Sequence, residues 1–438
     1  MNIHLSPSKI KSNSKITITG SKSETNRLLL LQALFPNLIL KNTSNSDDSE
    51  VMLQALSQTL QPRTYNLEPT TINVHHAGTA MRFLTAYFAI QPNSEVVLTG
   101  SSRMKERPIH ILVEALNSLG AQISYEEKVG FPPIKIKGSA FQKSEVTIEA
   151  NTSSQFISAL LLIAPKLKNG LKLHLKGEIT SLPYINMTLA LLKEIGVETS
   201  FQNKTITIQP ITYNLQPTTF TIESDWSSAS YFYSIIALSE IGTQITLSSY
   251  KKNSLQGDSV LAEIYQDFGV KTVFNENKTI TISKVNYNFN GNNKHNVNIK
   301  SETDNRQLKY SLNKAPDIAQ TIAVTCFGLG ISCELTGLHT LKIKETDRLQ
   351  ALKTELAKLG AKISVTNDTL VLNAGSPSLE GLGEAIKTYQ DHRMAMAFAP
   401  LALKTSLIIE DAEVVSKSYP DFWEDLKHIG IQMEITTA

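Results

Sequence analysis

Cysteine is nearly missing: the 438 residues include only Cys326 and Cys333, both inside the apolar stretch IAVTCFGLGISCEL. That pair makes neither a disulfide framework nor the CxxC spacing of a zinc or redox motif. Both read as small buried hydrophobes, in keeping with a reducing cytoplasm. Long apolar runs are missing too. No stretch approaches the roughly 18 apolar residues of a membrane helix, and the opening MNIHLSPSKI carries no apolar signal segment. A cytoplasmic location with no membrane partner is the expectation. Excess charge of one sign is also absent, since 42 Lys and Arg face 40 Asp and Glu for a net +2. This excludes nucleic-acid binding through bulk electrostatics, so any anion site must be assembled from local clusters.

What is present is repetition. One motif ends a leucine-spaced helix with glycine and continues as a short β-rich run: LVEALNSLGAQISY, LALLKEIGVETSF, LAEIYQDFGVKTVF, LKTELAKLGAKISV and FWEDLKHIGIQMEI. Gly120, Gly196, Gly269, Gly360 and Gly430 suit left-handed helix ends. VMLQALSQTL reads as a degenerate sixth copy. A second motif alternates with it, a polar turn opening a strongly apolar helix: GSKSETNRLLLLQALFP, AGTAMRFLTAYFAI, TSSQFISALLLIAP, DWSSASYFYSIIAL, APDIAQTIAVTCFGL and QDHRMAMAFAPLAL.

Helices that are apolar almost all round belong inside a layer of strands and outer helices. Six copies of roughly 70 residues divide into two similar α/β domains of three. The expected boundaries put residues 21–223 in one domain and residues 1–20 with 224–438 in the other, the first strand MNIHLSP pairing with the second half. The Asn-rich stretch spanning 284–312 reads as a surface insertion with short strands.

The first helix raises a charge problem. Ser21 or Ser23 suits its N-cap, yet its first turns carry Lys22 and Arg27, cations at the positive end of a helix dipole. If the three buried helices of a domain run parallel, their N-termini converge and together favour anions. The polar residues at those starts then share one site: Lys22, Ser23 and Arg27; Gly78, Thr79 and Arg82; Ser153, Ser154 and Gln155; Asp317; and Asp391, His392 and Arg393. Four loops reach toward the same face: RMKERP (103–108), TSLPY (180–184), KIKETDR (342–348) and SKSYPDF (416–422). They add Arg103, Lys105, Arg107, Lys344, Arg348 and Lys417. So many cations in one cleft call for a ligand with several phosphates or carboxylates, which arginine binds in bidentate fashion. A kinase-type phosphate loop, Gly-x4-Gly-Lys-Ser/Thr, is absent.

GSKSETNR, AGTAMR, RMKERP, TSSQF, KIKETDRL, YQDHRMAMAF and SKSYPDFW resemble, in order and from residue 20 to 423, the signature segments of the EPSP synthase family. The resemblance implies two domains of three βαβαββ units with buried parallel helices, an inverse α/β barrel arrangement, closing over an active site in the interdomain cleft. It implies transfer of the enolpyruvyl group of phosphoenolpyruvate to the 5-hydroxyl of shikimate-3-phosphate by a monomer without cofactor or metal.

Residue by residue, it implies that Lys22, Ser23, Arg27, Ser153, Ser154, Gln155, Ser181, Tyr184, Asp317, Thr340 and Lys344 bind shikimate-3-phosphate. Lys22, Gly78, Arg107, Gln155, Arg348, Arg393 and Lys417 would bind phosphoenolpyruvate. Asp317, Glu345 and Lys22 would carry the proton transfers that addition to and elimination from an enol ether require. Arginines fixed around the intermediate would stabilise its charge.

The chain departs from the family pattern at His76, Leu182, Thr340 and Lys342, where Asn, Lys, Asn and Arg are usual. These touch affinity and inhibitor response more than the reaction. Two rival readings stand beside this one. A UDP-N-acetylglucosamine enolpyruvyl transferase usually carries a cysteine near RMKERP, and none occurs between residues 1 and 325. A phosphate- or RNA-end-binding protein without catalysis would avoid the acidic pair Asp317 and Glu345.

Overall fold

The computed structural model describes residues 1–58, 69–92, 94–151, 153–179, 182–213, 215–286, 307–373 and 383–436. Most of the Asn-rich insertion, residues 287–306, lies outside them, as does Ser181. Two compact units result, one of Met1–Thr19 with Glu223–Ala438 and one of Gly20–Ile222.

In the unit Gly20–Ile222 three apolar helices form the core: α1 (Lys22–Leu34), α2 (Gly78–Ala89) and α3 (Ser154–Ile163). Every residue of α2 from Ala80 to Ala89 and of α3 from Phe156 to Ile163 is buried, as expected of helices lacking a polar face. The other unit holds α4 (Trp226–Leu238), α5 (Ala319–Leu329) and α6 (His392–Phe398) in the same role. Cys326, in α5, and Cys333 are buried and unbridged.

Around α2 the repeat runs strand Thr70–Asn73, α2, strand Glu95–Thr99, helix His110–Leu119, then strands Gln122–Tyr125 and Ile134–Lys137. The first two strands pair in parallel, with Thr70 opposite Val96, and the hairpin adds antiparallel, with Val97 opposite Lys135. This is a βαβαββ unit, and the α3 repeat follows the same order. Alternation sets the inner face, as in strand Leu171–Lys176, where Leu171, Leu173 and Leu175 are buried. Gly120, at φ +119°, ends the His110–Leu119 helix left-handed, and the other four glycines of that series also have positive φ.

Two repeats exchange their first strands. Strand Ser14–Ile16 precedes α1 in sequence but pairs with Gln244–Leu247, which follows α4. Strand Thr218–Thr221 precedes α4 but pairs with Leu38–Lys41, which follows α1. At the first of these crossings a Cβ on Gly20 would stand 2.0 Å from the Asn42 carbonyl oxygen, so only glycine fits. The opening strand Asn2–Ser6 lies between Leu407–Ile409 and Gln432–Thr436, completing the α6 repeat.

Candidate active site

In the unit containing Asp317, three buried-helix starts meet. Asp225 caps α4, accepting from Ser228 N at 2.8 Å. Asp317 sits in a turn of 3-10 helix, Pro316–Ile318, that leads into α5. Asp391 caps α6 with Oδ1, which accepts from Arg393 N at 2.9 Å. Its Oδ2 accepts from Arg348 Nε at 2.6 Å. Arg348, whose side chain is 2% exposed, also donates Nη1 to Asp317 Oδ1 and Nη2 to Glu345 Oε2, both at 2.8 Å. One guanidinium fork thus binds three carboxylates.

Two more cations complete the cluster. Lys344 Nζ lies 3.5 Å from Asp317 Oδ1, and Arg393 Nη2 lies 3.5 Å from Oδ2. Arg393 Nη1 donates to the Asp317 main-chain oxygen at 3.2 Å. Burial alone would raise the Asp317 carboxyl, but Lys344, Arg393 and Arg348 hold it well below the usual carboxylate range. Burial likewise pulls Arg348 down, and Asp391, Glu345 and Asp317 more than reverse it, leaving its pKa raised. Lys417 Nζ donates to the Gln390 carbonyl at 3.1 Å. That carbonyl belongs to a tight turn in which Tyr389 and Gln390 have φ of 54° and 55°, and the phenol of Tyr389 is tied to Glu355 at 2.6 Å. Two non-glycine residues held left-handed mark a costly turn that packing must enforce.

The unit Gly20–Ile222 gathers cations with fewer acids. Lys22 Nζ lies 3.6 Å from Asp48 Oδ2. Arg27 is buried and donates to Thr188 Oγ1 at 2.8 Å, the Ser23 carbonyl at 2.7 Å and Ser158 Oγ at 3.0 Å. The rings of Phe83 and Tyr184 flank it at 5.4 and 5.8 Å, and burial brings its pKa down to about 10. Gln155 Nε2 donates to Thr79 Oγ1 at 3.1 Å, joining the starts of α3 and α2. Ser153 caps α3, whereas Ser21, at the N-cap of α1, makes no side-chain cap bond.

Arg82 is 4% exposed. It bonds the Gly78 carbonyl at 3.1 Å and the Pro108 carbonyl at 3.4 Å. Burial, then the neighbouring charge of Arg107, lowers it to about 9. A buried arginine beside a second arginine, with main-chain oxygens as partners, is an arrangement whose repulsion an anion would relieve. Gly78 fits the guanidinium of Arg107 against the start of α2: a Cβ there would lie 2.6 Å from Arg107 Nη1.

Two expected cations do not join a site. Arg103 pairs with Glu106 at 2.8 Å and Lys105 with Glu127 at 2.7 Å, each on the surface. Acidic neighbours one turn away or on a facing loop claim them. Thr340 Oγ1 is buried without a hydrogen bond among the described residues. Lys342 turns away to Asn367 at 2.8 Å, and Leu182 is 37% exposed at the start of its helix. Sequence reasoning missed Ser227 and Asp258, which the fold brings to Arg393; Ser227 stands in the polar turn opening α4 and could have been taken with the other helix starts, whereas Asp258 lies outside every motif. Among the described residues no helix is long and apolar enough to cross a membrane.

The model of the family EPSP synthase (3-phosphoshikimate 1-carboxyvinyltransferase) matches residues 7–426. A 3-phosphoshikimate 1-carboxyvinyltransferase of Bacteroides fragilis (strain YCH46) is 44% identical over 432 residues, covering 98% of both chains. One from Vibrio vulnificus (strain YJ016) is 36% identical over 440 residues, covering 96% of this chain and 97% of its own. A solved EPSP synthase from Acinetobacter baumannii superposes with a TM-score of 0.77 at 21% identity, covering all of both chains, and so shares the fold.

Proposed function

The chain belongs to the EPSP synthase family, and from that premise we propose how its side chains divide the family's reaction. The enzyme moves the enolpyruvyl group of phosphoenolpyruvate to the 5-hydroxyl of shikimate-3-phosphate and releases phosphate. The hydroxyl oxygen bonds to C2 of the enol as the methylene carbon gains a proton. The tetrahedral adduct then loses phosphate from C2 and a proton from the methyl group, restoring the double bond.

The observation that carries the assignment is Asp317 among Lys344, Arg348 and Arg393, with Glu345 on the same fork. Asp317 accepts the hydroxyl proton. In the free enzyme its cations keep it a weak base. A donor anion that engages Arg348, Arg393 and Lys417 takes over part of their charge, which raises the basicity of Asp317 when a substrate is there to use it. Glu345 delivers and later removes the methylene proton, with Lys22 beside the enol.

Phosphoenolpyruvate is held by Lys22, Gly78, Arg107, Gln155, Arg348, Arg393 and Lys417. Shikimate-3-phosphate is held by Lys22, Ser23, Arg27, Ser153, Ser154, Gln155, Ser181, Tyr184, Asp317, Thr340 and Lys344. Among the described residues Arg27 has three protein partners, which leaves two of the five guanidinium N–H groups for a phosphate. The protein works as a cytoplasmic monomer in this reading.

Phosphate release by the purified chain supplied with both substrates tests the assignment. Release that needs only one substrate, or binding of both without turnover, overturns it. Gly78→Ala probes the donor side separately. The added methyl displaces the end of a flexible side chain, so the fold survives while Arg107 moves. The KM for phosphoenolpyruvate should rise about tenfold, the loss of one charge-assisted hydrogen bond, with the KM for shikimate-3-phosphate unchanged. Steady-state kinetics with each substrate varied in turn checks this.

A further inference from the structure

Asp258 lies in a 3-10 turn, Gly257–Val260, and is 9% exposed. Among the described residues no cation stands within ion-pair distance of it, a costly arrangement for a carboxylate unless it has a task. Its Oδ2 accepts a hydrogen bond from Ser227 Oγ. Ser227 in turn accepts from Arg393 Nη2 at 3.2 Å. A hydroxyl has one proton and two lone pairs. With the proton committed to Asp258, the lone pairs of Ser227 face the guanidinium.

Among the described residues the Arg393 guanidinium therefore has two anchors: Asp317, through its main-chain oxygen and carboxylate, and Ser227. Burial, followed by the charge of Asp317, pushes the Asp258 carboxyl up to about 6, while Arg393 and Ser227 pull it back, so Asp258 and Arg393 feel each other's charge. The turn and the helix start are locked together. Gln256 accepts from Trp226 N at 2.9 Å and donates to the Ser224 carbonyl at 3.0 Å. Trp226 packs edge-on against Tyr250, ring centroids 4.8 Å apart.

We propose that Asp258 is a positioning residue for Arg393, acting through the hydroxyl of Ser227 to fix the guanidinium that holds phosphoenolpyruvate beside Asp317. This rests on the assignment of Arg393 to the donor. The effect belongs in the donor KM, because the misplaced group binds the donor.

The test compares Ser227→Ala, Asp258→Ala, their double variant and Asp258→Asn under steady-state turnover with each substrate varied. Ser227→Ala and Asp258→Ala should each raise the KM for phosphoenolpyruvate about tenfold, with the KM for shikimate-3-phosphate and kcat within about threefold of wild type. The double variant should be no worse than either single one, since both break the same relay. Asp258→Asn, which keeps an acceptor for Ser227, should restore the wild-type KM. Additive effects, a parallel rise in both KM values, or an asparagine variant as impaired as alanine overturns the proposal. If Asp258→Ala does not fold, Ser227→Ala decides, because it removes only a hydroxyl; an unchanged donor KM then sinks the relay. A wild-type chain that releases no phosphate overturns the reaction assignment and the relay together, whereas an active wild type with unaffected variants overturns the relay alone.

Discussion

Asp317→Asn should lower kcat by roughly 10²–10⁴-fold, the usual contribution of a positioned base, without weakening phosphoenolpyruvate binding. The reason lies in the charges around the carboxylate. In the free enzyme Asp317 competes with an incoming anion for Lys344, Arg348 and Arg393. Asparagine keeps the volume and one acceptor for Arg348 but gives up both the base and the competing charge. The donor then meets cations that are less satisfied, and its affinity should hold or tighten. Loss of kcat with an unchanged or lower donor KM separates this from a general loosening of the site, which would move kcat and KM in opposite senses. Steady-state kinetics checks it, together with equilibrium binding of the donor in the presence of shikimate-3-phosphate. A kcat within tenfold of wild type would remove Asp317 from the proton transfer.

The features that could be read in advance are those written locally and repeated. Polar turns before apolar helices announce α1 to α6, and KETDR and DHR place their charges within one turn of a helix start, where the backbone points them. Arg103 and Lys105 look the same in composition but pair with surface glutamates. Whether a cation faces a site or the nearest glutamate depends on Glu106 and Glu127, which chance spacing supplies. The contact of Asp258 with Ser227 is unmarked for a different reason: its members come from the first turn of α4 and from a 3-10 turn about 30 residues on, which hydrogen bonds of Gln256 to the α4 start tie together. The exchange of first strands is legible only as a boundary: grouping residues 1–20 with 224–438 puts Ser14–Ile16 in the second half and leaves Thr218–Thr221 in the first, but which strands they join is unmarked, because both are short and their partners lie far along the chain.

Arg348→Ala is expected to reduce the unfolding free energy of its unit by about 3–5 kcal/mol at neutral pH, the range for removing one partner of a buried ion pair. Three carboxylates lose their common partner: Asp391, fully buried, and Asp317 and Glu345 beside it. The effect should depend on pH with a definite sign. In the wild type the Asp317 carboxyl lies below its unfolded value of about 3.9. Its ionised form therefore contributes stability above that value, and the contribution disappears as pH falls through the folded pKa. Without Arg348 the folded pKa rises and the contribution shrinks at neutral pH, while in acid, where both proteins carry protonated carboxyls, little difference remains. Stability curves for wild type and variant should begin to converge as pH falls below about 4 and meet only below the folded pKa of Asp317. Arg348→Lys should recover only part of the loss, since an ammonium cannot bridge three carboxylates as a planar fork does. Denaturant titration followed by tryptophan fluorescence isolates the right transition, because both tryptophans, Trp226 and Trp423, belong to the unit containing Arg348. A loss below about 1 kcal/mol at pH 7, the size expected of a surface pair, would mean that water already solvates the cluster and that the fork does not organise the site.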